Sequence, residues 1–199
     1  MTSKFKLVNS FILGFIVVFS LNVYSKPLFL GDSLTYQVAN SYKKISHLDV
    51  RYMSGSGLLS NKIINWGDYI QKINYSNYNA IYIVLGTNDF ITENKKEFYQ
   101  FKVINFIRKI RAYSDGKPII WLLPPSLADQ HKNHLLKNTR DAIVTACLHE
   151  NVLTVDMRNA LGMNYIEDFE GMSIRTKDGI HITEYGADRV VTLLFMSVG

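Results

Sequence analysis

The sequence predicts an α/β fold, a three-layer α/β/α sandwich built on a five-stranded parallel sheet. Two observations carry this prediction. Five short apolar or alternating runs recur along the chain, at residues 27–30, 48–52, 80–85, 119–123 and 152–155. Segments with the helical spacing of apolar residues separate these runs. Strands that alternate with helices are typical of a parallel sheet covered by helices on both faces.

Residues 1–25 are expected to lie outside this fold, as a secretory signal peptide. Lys4 and Lys6 give a positive start, and an apolar run of eleven residues follows at positions 11–21. Modest side chains then precede the expected cleavage point after Ser25. The alternative is an uncleaved membrane anchor, which is less favoured because a bilayer span takes about 20 residues.

Residues 26–199 are expected to form one domain. Its first half should contain a buried strand, a helix, a short strand, a glycine-containing loop and a second helix, at residues 27–30, 33–47, 48–52, 53–57 and 61–73. Leu34, Val38 and Ile45 give the first helix its apolar stripe, and Ile63 and Ile70 mark the second.

The second half should contain three strands, three helices and one long irregular segment. We expect strands at 80–85, 119–123 and 152–155, helices around 98–110, at 131–149 and after 183, and irregular structure at 156–177. Ser114–Pro118 is a strong helix stop, and Thr183 can cap the last helix. Because crossovers between parallel strands are right-handed, few topologies remain, and we expect a flavodoxin-like strand order.

The composition argues against several functional classes. The net charge of +5 falls to about +3 without residues 1–25, and no basic cluster contains interleaved aromatic residues, so nucleic-acid binding is not expected. The sequence has no glycine-rich phosphate loop and no dinucleotide fingerprint, and His131 and His134 lack a third ligand, so we expect no cofactor and no metal. Cys147 is the only cysteine, which excludes an intramolecular disulfide and is compatible with a bacterial periplasm; we expect it to be buried and inert.

Residues able to do acyl-transfer chemistry recur at the expected carboxyl edge of the sheet, where ligands of such folds bind. The corners after the first and third strands place Ser33 and Asn88 there. Gly57 offers a backbone N–H free of any side chain, and Asp178 and His181 supply an acid and a base just before the last helix. Acyl transfer needs a nucleophile, a base, a group that orients the base and donors for an oxyanion. Each feature alone has a structural explanation, a helix cap at Ser33 for example, but their joint occurrence predicts that Ser33 is a nucleophile.

The chain resembles the SGNH/GDSL hydrolase family in four blocks that occur in the family's order. The blocks are Gly31-Asp32-Ser33-Leu34, a loop glycine at Gly55 or Gly57, Gly86-Thr87-Asn88-Asp89 and Asp178-Gly179-Ile180-His181. The likeness covers residues 28 to about 190 and implies the SGNH hydrolase fold for residues 26–199.

The resemblance also implies a role for each site residue. Ser33 would attack the ester carbonyl, His181 would act as base and then as acid, and Asp178 would orient His181. The backbone N–H groups of Ser33 and Gly57 and the side-chain amide of Asn88 would form the oxyanion hole. We prefer Gly57 to Gly55 because Leu58-Leu59 follows it, as in the family's second block. Asp32 is expected to be a structural acid at the corner.

Together with the signal peptide, the resemblance implies an exported serine esterase, periplasmic or secreted. The preferred substrate is a small acyl ester, O-acetyl foremost, on cell-envelope carbohydrate such as polysaccharide or peptidoglycan. No nucleic-acid partner is expected, nor stable membrane insertion after cleavage. The alternatives are a lysophospholipase- or thioesterase-type lipolytic enzyme, or a sugar O-acetyltransferase. A remoter alternative is a non-catalytic carbohydrate-binding module, which an intact Ser/His/Asp set disfavours.

The wall of the substrate pocket is expected to come from the loops at 125–130 and 156–177. Five large side chains are candidates to line it, although they could equally be packing residues: Phe90, Met157, Met163, Tyr165 and Phe169.

Overall fold

The computed structural model describes residues 25–198, which form one parallel sheet between two layers of helices. The sheet strands are β1 (Lys26–Gly31), β2 (Asp49–Tyr52), β3 (Tyr78–Val84), β4 (Ile119–Leu123) and β5 (Leu153–Asp156). The helices are α1 (Ser33–Tyr42), α2 (Trp66–Tyr69), α3 (Lys96–Ser114), α4 (Gln130–His149), α5 (Arg158–Leu161) and α6 (Glu184–Val198). The expected signal peptide lies outside the described residues except for Ser25.

The five strands are all parallel and lie in the order β2-β1-β3-β4-β5. This confirms the predicted sheet and its flavodoxin-like order. The order places the ends of β1 and β3 next to each other, since Gly31 is in register with Val84. The corners that follow these two strands therefore meet at one edge of the sheet.

Alternate side chains of the strands fill two cores, one on each face of the sheet. In β1, Leu28 and Leu30 belong to the core under α3 and α4, whereas Phe29 belongs to the core under α1 and α6. The same alternation separates Trp121 from Leu122 in β4. Strands buried on both faces read as unbroken apolar runs, which is why the sequence located them well.

Two predicted helices are shorter than expected. The segment 61–73 contains only the single turn of α2 and a 3-10 turn at Ile70–Lys72. Asn65 caps α2 through its side chain, which accepts a hydrogen bond from the backbone N–H of Asp68, so the helix cannot start earlier. Similarly, α1 ends at Tyr42 rather than near His47, and Ile45 is exposed where the chain turns back to enter β2.

The segment 156–177 is irregular, as predicted, and contains two small elements. These are α5 and an antiparallel hairpin of β6 (Asp168–Phe169) and β7 (Met172–Ser173). Among the candidate pocket residues, Met157 is fully buried in the core under α6, so its role is packing. The Arg189 guanidinium lies 3.5 Å from the ring centre of Phe169, which fixes that ring against α6.

Cys147 is fully buried in α4, and burial raises the pKa of its thiol to about 12. The expected burial is therefore confirmed, and the raised pKa favours the thiol over the reactive thiolate. No helix within residues 25–198 combines the length and hydrophobicity that a bilayer crossing requires.

Candidate active site

The corner between β1 and α1 presents Ser33 at the carboxyl edge of the sheet. Gly31 has φ +151°, and a Cβ at this position would lie 1.9 Å from the carbonyl oxygen of Val84, so only glycine allows β1 to end this close to β3. Asp32 then caps α1, because its Oδ1 accepts a hydrogen bond from the backbone N–H of Leu34 at 3.0 Å. Ser33 is the first helical residue, and its backbone N–H has no hydrogen-bond acceptor among residues 25–198. A helix N-terminus with a free N–H is suited to bind a developing negative charge.

The structure brings Ser33, His181 and Asp178 into one hydrogen-bonded chain. Nε2 of His181 lies 2.8 Å from Oγ of Ser33, and Nδ1 of His181 lies 2.6 Å from Oδ2 of Asp178. Ser33 and His181 are 148 positions apart in the sequence, so the fold brings two distant segments together. The chain has the connectivity that a nucleophile, a base and an orienting acid require.

The turn before α6 fixes the Asp178 carboxylate. Its Oδ1 accepts hydrogen bonds from Oγ1 of Thr176 at 2.7 Å and from the backbone N–H groups of Ile180 and His181 at 2.9 and 3.0 Å. Burial alone would raise the pKa of Asp178, but the hydrogen bonds from His181, Thr176 and the backbone outweigh it and hold the pKa well below its usual range. Asp178 is therefore ionised at neutral pH and can stabilise a protonated His181.

Asp89 connects the loop after β2 to the loop after β3. Its carboxylate accepts hydrogen bonds from the backbone N–H groups of Leu58 and Leu59 at 2.7 and 2.9 Å and from the Tyr99 hydroxyl at 2.6 Å. A Cβ on Gly57 would lie 2.2 Å from Oδ1 of Asp89, so the close approach of the two loops needs glycine there. Gly55 is exposed, and a Cβ there would approach only the Ile63 side chain, at 3.3 Å. Gly57, rather than Gly55, thus lies against the loop that carries Asn88.

Asn88 is at the same edge, but its amide is engaged. Nδ2 of Asn88 donates to the carbonyl oxygen of Ser56 at 2.9 Å. That carbonyl and the N–H of Gly57 belong to one trans peptide, in which the two groups point in opposite directions. Asn88 and Gly57 therefore cannot donate to one oxyanion while this bond is intact. All three donors of the expected oxyanion hole can converge only after Asn88 releases Ser56.

Asp32 is a buried acid next to Ser33 in the corner between β1 and α1. It is fully buried, and its Oδ2 has no hydrogen-bond partner within the described residues. Burial raises the pKa of Asp32 to about 7, and the nearby Asp89 carboxylate acts in the same direction. Its role as a structural acid that caps α1 agrees with the sequence-based expectation.

Two residues of the site were not identified from the sequence. Tyr99 is the buried hydrogen-bond partner of Asp89. Arg175 is also buried, and its guanidinium donates to the carbonyl oxygen of Ile180 at 2.8 Å. Ile180 lies between Asp178 and His181 in the sequence. The sequence does contain a signal for Tyr99, which lies four residues before Val103 and eight before Ile107, at helical spacing on the buried side of α3. Nothing in the sequence distinguishes Arg175 from a surface arginine.

Metal-ligating residues do not gather anywhere in the described chain. Within residues 25–198, no three His, Cys, Asp or Glu side chains are placed to hold a metal ion. His131 and His134 lie in the first turns of α4.

Comparisons with known proteins agree with this architecture. A family model described as a protein of unknown function, DUF459, matches residues 26–196. A search of curated proteins finds no match to this chain.

Solved structures similar to this chain include two carbohydrate esterases and a lipolytic protein. A carbohydrate esterase family 3 protein from Talaromyces cellulolyticus is 16% identical, with a TM-score of 0.62, over 85% of this chain and 94% of that one. A carbohydrate acetylesterase from Sinorhizobium meliloti is 14% identical, with a TM-score of 0.65, over 87% and 98%. A member of the lipolytic protein G-D-S-L family from Veillonella parvula is 14% identical, with a TM-score of 0.62, over 87% and 98%. At these identities the likeness establishes the SGNH/GDSL fold.

Proposed function

Because the chain belongs to the DUF459 family and has the SGNH/GDSL fold, we propose that it is an exported serine esterase that removes small acyl groups, O-acetyl foremost, from cell-envelope carbohydrate. The observation that carries the proposal is the hydrogen-bonded chain from Ser33 through His181 to Asp178. The carbohydrate esterases among its structural neighbours support the substrate class.

The first half of the reaction forms an acyl-enzyme. Oγ of Ser33 attacks the ester carbonyl carbon while Nε2 of His181 takes the hydroxyl proton. The oxyanion accepts hydrogen bonds from the backbone N–H groups of Ser33 and Gly57, and from Asn88 once its amide leaves Ser56. Asp178 stabilises the protonated His181 throughout. When the intermediate collapses, the carbon–oxygen bond to the alcohol breaks, and His181 gives its proton to the departing alcohol.

The second half regenerates the serine. His181 takes a proton from a water molecule, the resulting hydroxide attacks the acyl carbon, and the bond to Oγ of Ser33 breaks as His181 returns the proton to it. The products are the free alcohol of the carbohydrate and a carboxylic acid.

Hydrolysis of p-nitrophenyl acetate tests the proposed chemistry. We expect the wild type to turn this ester over and Ser33→Ala to lose almost all of that activity. Ser76→Ala removes an exposed serine from the turn before β3 and serves as the matched control, with the wild-type rate. Equal rates for wild type and Ser33→Ala would refute the serine mechanism.

A lipolytic activity is the second candidate, because several similar structures are of proteins named as lipolytic or as lipases. A series of p-nitrophenyl esters from acetyl to palmitoyl separates the two. A small-acyl esterase has its highest kcat/KM at acetyl, and a maximum at long chains would assign the lipolytic function instead. Adding a free sugar acceptor to the same assay tests for acetyl transfer, through the appearance of an acetylated sugar.

Export is part of the proposal and rests on the pattern of residues 1–25. Expression in a bacterial host, followed by N-terminal sequencing of the periplasmic fraction, tests it. We expect a chain that begins at Lys26. A full-length chain that stays in the cytoplasmic or membrane fraction would contradict it.

A further inference from the structure

A cavity of about 510 Å³ lies between the loop after β2, α2 and α3. Gly57 and Leu58 line one end of it, and α3 lines its length from Lys102 to Ala112. Gly57 is also a proposed donor to the oxyanion, so the cavity shares one residue with the proposed site, whereas Ser33, Asn88, Asp178 and His181 do not line it. At 1.5 Å per helical residue, the α3 wall is about 15 Å long, which suits an extended ligand.

The cavity is cationic. Lys102, Arg108 and Lys109 line it, and no aspartate or glutamate of the described chain does. Neither lysine has a carboxylate within ion-pair distance among residues 25–198, whereas Arg108 is bound to Glu150. The Lys102 ammonium lies 5.3 Å from the ring centre of Phe98, a contact that leaves its charge without a counterion. Lysines without a carboxylate partner on a concave surface attract anions and raise their local concentration.

The remaining polar groups suit hydroxyls. Asn61 and Asn105 line the cavity, and neither side chain makes a hydrogen bond within the part of the chain described here. Asn65 is different, because its carboxamide is held by Asp68. A carboxamide can both donate to and accept from a sugar hydroxyl. Apolar atoms of Leu58, Trp66 and Phe106 complete the lining, as is common for ligand sites.

We propose that this cavity is a subsite for a carboxylate-bearing oligosaccharide, so that the acyl group removed at Ser33 belongs to a polysaccharide that contains uronic acids. The inference rests on the proposed function and names its substrate class. Lys102 and Lys109 are seven residues apart on α3, about 10 Å along the helix, so each can meet a different carboxylate of one chain. The amides of Asn61 and Asn105 would bind hydroxyls between the carboxylates.

The first experiment compares two acetylated substrates. O-acetylated oligogalacturonate carries carboxylates, and O-acetylated xylo-oligosaccharide does not. We expect the wild type to have the higher kcat/KM on the acidic substrate, and the ratio of the two values to fall about tenfold or more in the double variant Lys102→Gln/Lys109→Gln. The ratio cancels any general loss of active protein. Lys43→Gln, an exposed lysine at the end of α1, is the charge-matched control and should keep the wild-type ratio.

The second experiment measures binding without turnover. Calorimetric titration with unacetylated oligogalacturonate should give saturable binding to wild type, weaker binding at high salt and at least tenfold weaker binding to the double variant. Unacetylated xylo-oligosaccharide should bind more weakly than the acidic ligand.

The two proposals fail in different ways. No preference for the acidic ligand in either experiment, or an unchanged ratio in the double variant, would overturn the subsite. If the wild type fails only to hydrolyse p-nitrophenyl acetate, the esterase function is overturned. The calorimetric titration then still decides whether the subsite exists.

Discussion

Asn88 has one hydrogen-bond partner in the structure and a different one in the proposed mechanism. Its amide nitrogen is bonded to the Ser56 carbonyl, and a place in the oxyanion hole requires it to turn toward Ser33. The same amide therefore has two possible roles, which are to hold the loop after β2 or to stabilise the transition state.

Substitution of Asn88 separates these roles. If the amide joins the oxyanion hole, Asn88→Ala lowers kcat for p-nitrophenyl acetate by about 10²–10³-fold, with a smaller effect on KM. If it only holds the loop, stability and KM change while kcat stays within about threefold of wild type. Steady-state kinetics with a urea denaturation curve for the same variant distinguishes the two outcomes, and an unchanged kcat contradicts the three-donor hole.

Asp32 should make stability depend on pH. Burial raises its pKa from an ordinary value of 3.8 to about 7, so the folded state prefers the protonated form. Its contribution to stability is complete below the unfolded pKa and is lost as the pH rises to about 7; the full difference is on the order of 4 kcal/mol. Asp178 acts with the opposite sign, because its pKa is depressed, and its contribution is lost only below about pH 4.

Asp32→Asn keeps an oxygen to cap α1 and removes the titration. Between pH 4.5 and 8, the free energy of unfolding of wild type should fall as Asp32 ionises, and that of the variant should fall by less. Urea denaturation across this range measures both curves. Parallel curves for the two proteins would show that Asp32 is not a raised-pKa group.

Among the elements, α3 supports the site through one hydroxyl. Tyr99 is fully buried and donates to Asp89, which in turn holds the backbone of Leu58 and Leu59 beside Gly57. The position of α3 thereby determines the position of the loop that carries Gly57, a proposed oxyanion donor.

Tyr99→Phe removes that donor and little else. Because the hydrogen bond is buried and reaches a carboxylate, we expect the free energy of unfolding to drop by about 1.5–3 kcal/mol. Tyr113→Phe is the control on the same helix, since its hydroxyl bonds Gln71 at the exposed surface and should contribute almost nothing. Urea denaturation of both variants tests this. If Tyr99→Phe is as stable as Tyr113→Phe, the Tyr99 hydroxyl does not support the loop.

The elements also explain what the sequence could and could not predict. Strands buried on both faces were located from their apolar runs, and the corners at Ser33 and Asn88 followed from where those runs stop. On α3 the helical spacing of apolar residues predicts a buried stripe at Phe98, Phe101, Ile104, Ile107 and Ile110. The three isoleucines are buried, whereas Phe98 and Phe101 are exposed, and Tyr99 and Val103 are buried in their place. Aromatic residues on both sides of a helix give no unique face, so periodicity alone could not choose. Most of the helix predicted at 61–73 is absent because the Asn65 side chain caps α2 just before Trp66. Such a local hydrogen bond depends on side-chain geometry, which the spacing of apolar residues does not show.

At the scale of the whole molecule, the site is assembled from four distant segments that meet only because of the strand order. The adjacency of β1 and β3 brings Ser33 and Asn88 to one edge, and the turn before α6 places His181 against Ser33. The sequence could identify these residues through motifs at strand ends. It could not reveal the Asn88–Ser56 bond, the Arg175 contact or the cationic cavity beside α3, because each depends on distances between segments.

The proposed function depends above all on Ser33 being a nucleophile that His181 activates. Intact-mass spectrometry after treatment with a fluorophosphonate tests it most directly, because the probe bonds covalently to an activated serine oxygen and releases fluoride. We expect one adduct per chain, mapped to Ser33 by peptide sequencing, with none on Ser33→Ala and slow labelling of His181→Ala. A folded wild-type protein that takes up no probe, or takes it up at another residue, would contradict the claim.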